Sequence, residues 1–457
     1  MSFFKKNFEI STEGKDFYKS LFNVVGPIAV QNLISAAVSS TDVIMLSFVG
    51  QTAIAAASLA GNIQFILIMI ATGLSSGLVM LCAQYWGKKD IESIRILHGI
   101  ALRFSLIFGI AVTIAAFFWP SFLMRIFTND ENLVEVGSRY VKIVSVSYLC
   151  FSISQMFQAG LKSIERVKIV STITVTAFCV NVLLNAVFIF GLFGAPKIGI
   201  AGVALATTVS RIVELVFTVI YSYMQKDVKI RFSNLFKFRR ILTFDFLRYS
   251  MPALGNELVW GAAFTMYSVI MGHLGEDIVA ANSVVGVLRN LGTVVCFGMA
   301  YGGAIVLGKT MGSGQMELAQ RNAVRLIKTT IFSGIIGSIL MYALHPVLPL
   351  LADLTPQAQH YSDVLLIINC FSIIGAAINT VLICGVFRAG GDSKFGFVMD
   401  AIMMWGVSVP LGLISAFVLK LPPLWVYFIL YLDEFEKMPV IIIHYFKKKW
   451  LKNITRE

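Results

Sequence analysis

Residues 27–110 align with residues 252–335 at a constant offset of 225, without a gap. Fourteen of the 84 positions are identical, and six of those are glycine: Gly50/Gly275, Gly61/Gly286, Gly73/Gly298, Gly77/Gly302, Gly87/Gly312 and Gly109/Gly334. The common frame reads Pro27 … Gly50-x4-Ala55-Ala56-x-Ser58-x2-Gly61 in the first copy and Pro252 … Gly275-x4-Ala280-Ala281-x-Ser283-x2-Gly286 in the second. Both copies are strongly apolar. A chain duplicated in this way is expected to fold as two copies of one unit. A duplicated apolar half is a hallmark of secondary transporters, whose repeats rock about a central site.

The apolar content decides the solvent in which those copies fold. The chain is 57% hydrophobic and 14% charged, with a mean hydropathy of +0.80. A water-soluble protein of 457 residues lacks the interior to hide that much apolar surface. Blocks such as 53–82 and 170–193 exceed the roughly 20 residues that carry a helix across a bilayer. A transmembrane barrel would instead show short alternating segments. The first apolar block follows a polar stretch and is too long for a signal-peptide core, so no cleaved leader is expected. Cys82, Cys150, Cys179, Cys296, Cys370 and Cys384 all fall in apolar blocks without C-x-x-C spacing. They read as small core residues, neither disulfides nor metal ligands.

Twelve spans are expected, at about 21–48, 54–82, 96–119, 138–160, 168–191, 199–223, 247–272, 279–308, 323–345, 362–386, 394–419 and 423–446. Connectors are short except 225–245, which carries Lys226, Lys229, Arg231, Lys237, Arg239 and Arg240 and joins the repeats. With the first three positions of each span counted in the preceding connector, the amino end, the even-numbered connectors and the carboxyl tail hold 27 of the 37 Lys and Arg. The odd-numbered connectors hold four: Arg125, Arg139, Lys197 and Lys420. Basic residues stay on the cytoplasmic side, so both termini are expected there. The Asn453-Ile-Thr455 glycosylation sequon then lies in the cytoplasm and reads as accidental. The formal charge of +12 becomes a property of a membrane face, and no nucleic-acid partner is implied. Six spans per repeat is an even number, so both halves enter the membrane in the same direction. The expected fold is an all-α polytopic membrane protein with two six-helix lobes, related by a pseudo-two-fold axis along the membrane normal and separated by a cleft. The lobes would be 1–224 and 246–457, with 225–245 a basic cytoplasmic linker.

Charge inside a span costs about 2.5–3.5 kcal/mol per residue and needs a reason. Asp42 lies toward the outer end of span 1, Glu257 in the first half of span 7, and Asp400 in span 11 before Trp405 and Pro410. Each is either a carboxylate hydrogen-bonded to neighbouring helices or a binder of cation or substrate. Asn181 and Asn185 stand at i,i+4 on one face of span 5. Two amide carbonyls and a carboxylate make an oxygen cage for a hard monovalent cation, and the carboxylate alone could carry a proton; ordinary interhelical hydrogen bonding would use the same pair. In span 12, Lys437 is i+4 from Asp433 and i+3 from Glu434, with Glu436 beside it. That pattern reads as an internal ion pair, as do Arg211 and Glu214 in span 6. Pro27, Pro252 and Pro410 are expected to bend their helices. No nucleotide-binding loop, zinc spacing or nucleophile elbow is present in the sequence, so neither ATP-driven transport nor enzymatic catalysis is expected.

Over its whole length the chain resembles the multidrug and toxic compound extrusion (MATE) family, in a bacterial branch. The matching features are Thr41-Asp42-Val43-Ile44-Met45 … Gly50, Gln84-Tyr85-Trp86-Gly87, Asn181-x3-Asn185-x5-Gly191, Gly199-x2-Gly202-Val-Ala204-x-Ala206-Thr207 and Gly385-Val-Phe-Arg388-Ala-Gly-Gly-Asp392. Asn256-Glu257-Leu258-x-Trp260 and Asp400-x4-Trp405 resemble a common bacterial branch. The resemblance implies a plasma-membrane exporter of cationic or amphipathic organic compounds, working in exchange for Na⁺ or H⁺ with no organic cofactor, and expected as a monomer in lipid. It places a cation site on Asp42, Asn181, Asn185 and Thr207, where Na⁺ would be the one bound metal. Asn256, Glu257, Trp260 and Asp400 become candidates for substrate binding or proton coupling. Asn185 stands where some members carry aspartate, and Gly375-Ala-Ala-Ile378-Asn379-Thr380 lacks the span-10 carboxylate of others. The alternatives are a lipid-linked saccharide flippase of the same superfamily, which would want a cationic cavity, and a channel.

Overall fold

In a computed structural model that describes residues 12–348 and 354–456, the chain is helical, with no strand among those residues. The amino-terminal helices are α1 (Thr12–Ser47), α2 (Gln51–Lys88), α3 (Ile91–Phe118), α4 (Glu131–Ser163), α5 (Val167–Phe190) and α6 (Ile200–Met224). They are followed by α7 (Arg240–Gly272), α8 (Glu276–Gly312), α9 (Met316–Ala343), α10 (Pro356–Phe387) and α11 (Ser393–Val418). The last rod, α12, covers 423–446 in three pieces: Pro423–Tyr431, Asp433–Glu436 and Met438–Phe446. Among the described residues nine helices are long and apolar enough to cross a membrane, and the others are α1, α7 and the segmented α12. Side chains such as Phe118, Phe122, Leu183, Phe332 and Ile339 are widely exposed, as lipid-facing residues should be. The fold matches the sequence expectation of twelve membrane helices built from a duplicated six-helix unit.

Helices in lipid gain little from burying apolar surface against each other, so they associate by close packing at small residues. The repeated glycines do this work. A β-carbon on Gly77 would lie 1.8 Å from Ser250 Oγ and 2.7 Å from Ser250 Cα, and one on Gly73 would lie 2.4 Å from Leu254 Cα. In the second copy, Gly302 meets Val25 at 2.8 Å and Gly298 meets Ala29 at 3.4 Å. Gly109 and Gly334 admit Ser152 and Ala377, each at 2.8 Å. Gly50 and Gly275 enter α2 and α8 with φ of 139° and 124°, a region that L side chains rarely adopt. Gly61 has open space around it and Gly286 has only Arg289 near, so packing does not explain that pair.

The glycine contacts also show an exchange of half-helices. One compact unit is Val30–Leu258; the other joins the chain up to Ala29 to the chain from Val259 onward. The first part of α1 therefore packs with the carboxy-terminal helices and the first part of α7 with the amino-terminal ones. Each helix changes unit within a few residues of its internal proline, Pro27 or Pro252, and remains helical through it. Each unit has its own apolar core, one around Leu67, Val141, Tyr148 and Val203, the other around Ile270, Leu288, Leu365 and Tyr427.

The carboxy-terminal rods are less regular than their apolar runs suggest. Wide π turns occupy Val381–Phe387 in α10, and Ala401–Ser408 and Ile414–Val418 in α11. Pro410 lacks an N–H and crowds the carbonyl one turn back, which favours a widened turn ahead of it. The Ser408 hydroxyl donates to the Met403 carbonyl at 3.1 Å across that turn. In α12 the break at Lys437 falls just before Pro439, whose missing N–H removes a helical bond.

Candidate functional site

Four polar residues named from the sequence meet in the unit Val30–Leu258. Asn181 and Asn185 share a face of α5. Gly202 brings α6 up to that helix, since a β-carbon there would lie 2.6 Å from Phe188 Cβ, and this sets Thr207 beside Asn181. Asn185 Nδ2 donates to Asp42 Oδ1 at 2.7 Å and to Asn181 Oδ1 at 3.3 Å, and Asn181 Nδ2 donates to Thr207 Oγ1 at 3.5 Å. Both asparagines and Thr207 are buried. Asn185 Oδ1 is buried without a hydrogen-bond partner. No basic side chain forms an ion pair with Asp42 among the described residues. The nearest strong cation, Arg211, is bound to Glu214 at 2.7 Å and lies over the Phe151 ring at 5.1 Å, so its charge reaches Asp42 only at longer range.

The surroundings of this group follow from no motif in the sequence. Tyr140 of α4 is directed at Thr207 and lies in the field of Asp42. Gln31 donates to Gln158 Oε1 and to Thr174 Oγ1, both at 3.2 Å, and Gln158 donates to Glu214 Oε1 at 2.9 Å. Glu214 is thus held from two sides. Lone glutamines in apolar helices were the available signal, because an amide at that depth needs a partner.

A second polar group lies in the other unit. Lys437 Nζ stands 3.5 Å from Asp400 Oδ1, 3.6 Å from Asp433 Oδ2 and 3.5 Å from Glu434 Oε2, and the lysine side chain is only 3% exposed. The pairing within α12 follows the i+3 and i+4 spacing. Asp400, which has no basic partner in its own span, receives one from α12. Asn379 Nδ2 donates to Glu434 Oε2 at 2.7 Å and to the Glu434 carbonyl at 2.6 Å, leaving Asn379 Oδ1 buried and unpartnered. Tyr267 lies in the field of Asp433, and Arg289 binds the Tyr431 hydroxyl.

The remaining candidates lie along one turn of α7. Asn256 and Glu257 are buried in the unit that holds Asp42, whereas Trp260 belongs to the other unit, where it packs on Phe264 with ring centroids 4.5 Å apart. Among the described residues no group of three or more His, Cys, Asp or Glu has the arrangement of a metal centre. The chemistry available at Asp42 is that of one carboxylate with amide and hydroxyl oxygens, suited to a proton or a hard monovalent cation.

Known proteins resemble the chain along nearly its whole length. It is 22% identical over 437 residues to an uncharacterized transporter, YisQ, of Bacillus subtilis, covering 95% of each chain. It is 25% identical over 418 residues to a probable multidrug resistance protein, YoeA, of the same organism, covering 90% of this chain and 89% of YoeA. A crystal structure of the eukaryotic MATE transporter AtDTX14 has the same fold, with a TM-score of 0.83 at 15% identity, over 96% of this chain and 97% of the other. A MOP superfamily transporter from Pyrococcus furiosus also superposes, with a TM-score of 0.82 at 19% identity over 95% and 96%. The MatE family model matches twice, at residues 27–187 and 252–414, so both matches begin at the prolines that open the repeat. With two copies of its defining unit covering most of its length, the chain belongs to the MatE family of multidrug and toxic compound transporters.

Proposed function

We propose that the protein exports amphipathic, mainly cationic, organic compounds from a bacterial cell in exchange for Na⁺ or H⁺, and that the exchanged cation binds at Asp42. The observation that carries this reading is the Asp42 carboxylate itself. It lies half-buried toward the outer end of α1, hydrogen-bonded to an amide and ion-paired with no basic side chain among the described residues, beside the unpartnered Asn185 carbonyl. An unneutralised carboxylate in a low-dielectric setting is costly, and a cation or proton relieves that cost. Turning the asparagine amides would exchange donors for acceptors and present carbonyl oxygens to a bound cation. Thr207 completes the group on α6. In the same proposal Asn256, Glu257 and Trp260 contact the substrate, and Asp400, paired with Lys437, serves the carboxy-terminal group by its charge and does not take the exchanged cation. The protein works as a monomer in the plasma membrane with both termini in the cytoplasm, as the distribution of lysine and arginine supports.

The exchanged cation, drawn by Asp42, and the cationic substrate, drawn by Glu257, then exclude each other, so that binding of one weakens binding of the other. The test combines proteoliposomes loaded with a cationic dye, given a Na⁺ or a pH gradient one at a time, with dye binding to purified protein titrated with Na⁺ and with acid. One gradient should drive efflux, and the same cation should weaken dye binding. Efflux that ignores both gradients would reject the exchange mechanism.

A further inference from the structure

The basic connector between α6 and α7 is a pinned strap with two faces. Its inner face is seated on the unit Val30–Leu258. Val228 and Ile230 are fully buried, and Phe232 meets Phe157 with ring centroids 5.0 Å apart. Gly99 admits the strap, since a β-carbon there would lie 2.0 Å from the Asn234 carbonyl oxygen. Arg103 Nη2 donates to the Lys237 carbonyl at 3.0 Å, and Lys237 Nζ pairs with Glu92 at 2.7 Å. These contacts fix the backbone of a segment that would otherwise be a free loop.

The outer face is apolar and cationic together. Phe236 is 89% exposed and Phe238 65%, and Ile241 and Phe244 continue the exposed series into α7. Arg239 and Arg240 are exposed between them and form no ion pair among the described residues. Lys237 is satisfied by Glu92 and Arg231 lies over the Tyr223 ring, so the two arginines are the unpaired charges next to the phenylalanines. The strap begins where one membrane helix ends and stops where the next begins, which puts it at the level of the headgroups. Aromatic rings flanked by cations at that depth have one fitting surface: rings at the acyl boundary, guanidiniums on phosphate. Arginine suits this role because its planar fork meets phosphate oxygens two at a time.

We propose that residues 236–244 form a binding site for anionic phospholipid headgroups, with Arg239 and Arg240 holding the phosphate and Phe236 and Phe238 inserted beside it. The full-length protein would be placed in nanodiscs of phosphatidylcholine, alone or mixed with phosphatidylglycerol, and the lipids retained on release into detergent counted by native mass spectrometry. Wild-type protein should retain phosphatidylglycerol in preference to phosphatidylcholine. Arg239→Gln/Arg240→Gln should weaken that retention about 30-fold, at roughly 1 kcal/mol per basic residue and about 1.4 kcal/mol per tenfold. Arg239→Lys/Arg240→Lys should keep most of it. Phe236→Ser/Phe238→Ser should lower retention of both lipids. An arm with inorganic phosphate separates the sources: displacement of lipid by phosphate at equal concentration would make this a free-phosphate site and overturn the lipid assignment. Equal retention of the two lipids by the wild-type protein would overturn it without any variant.

Discussion

The two polar groups occupy corresponding parts of the repeat and solve the burial of charge in opposite ways. Asp42 and Tyr267 fall at the same position of the gapless frame, 225 residues apart. In the amino-terminal copy the acid is on the first helix, and the fifth and sixth supply neutral Asn181, Asn185 and Thr207. In the other copy the first helix supplies a neutral tyrosine, and Asp400, Asp433 and Glu434 stand on the fifth and sixth. Their ammonium, Lys437, is part of the chain. A resident lysine cannot leave, so it holds acids together without exchanging for anything. On the function proposed above, the lone carboxylate among amides takes its cation from outside. The difference separates a group suited to exchange from one suited to permanent pairing, on the same scaffold.

The largest expected effect tests that division directly. Asp42→Asn keeps the shape and an acceptor for Asn185, and it removes the charge. Gradient-driven dye efflux in proteoliposomes should fall to the level of protein-free vesicles while the variant inserts and purifies normally. Asp400→Asn leaves Lys437 with two other carboxylates and should retain a measurable response to the gradient. If Asp42→Asn transports at the wild-type rate and Asp400→Asn is dead, the roles of the two groups are reversed.

The second effect is on stability. Lys437→Met strands the buried Asp400 and Asp433 and the partly buried Glu434, and breaking a buried ion pair from one side costs about 3–5 kcal/mol. Thermal unfolding in detergent should shift down sharply, and adding Asp400→Asn and Asp433→Asn to Lys437→Met should recover much of the loss. The corresponding change in the amino half, Arg211→Met, should cost less. Arg211 is partly exposed, and Glu214 keeps its bond from Gln158. Equal losses would mean that the two halves do not differ in how they hold charge.

Much of this was legible in the sequence because each signal was local or periodic. Helix count followed from apolar runs, the pairing of Lys437 with Asp433 and Glu434 from i+4 and i+3 spacing, and the shared face of Asn181 and Asn185 from the same geometry. Contacts between distant helices were not legible that way. Nothing in the sequence around Asp400 points to Lys437, 37 residues later on another rod, or ties Gln31 to Gln158. The exchange of half-helices was hidden for a different reason. The repeat marks where the unit was copied, whereas the packing boundary falls after Pro27 and Pro252, inside continuous helices.

The smallest effect probes that exchange. Gly77 and Gly302, and Gly73 and Gly298, are repeat mates that receive the exchanged half-helices, but not with equal tightness. At Gly77 a β-carbon runs into Ser250 backbone at 2.7 Å, whereas at Gly298 it would touch Ala29 at 3.4 Å, an ordinary contact distance. Gly77→Ala must move α7 or α2 and should cost about 1–3 kcal/mol, the usual range for overpacking. Gly298→Ala meets no such wall and gains up to about 1 kcal/mol of helix propensity, so its stability should stay level or rise. Thermal unfolding of the two single variants side by side measures the difference. If both alanines are tolerated alike, α7 approaches α2 at Gly77 no more closely than α1 approaches α8 at Gly298, and the tightness assigned to the amino-terminal copy is wrong.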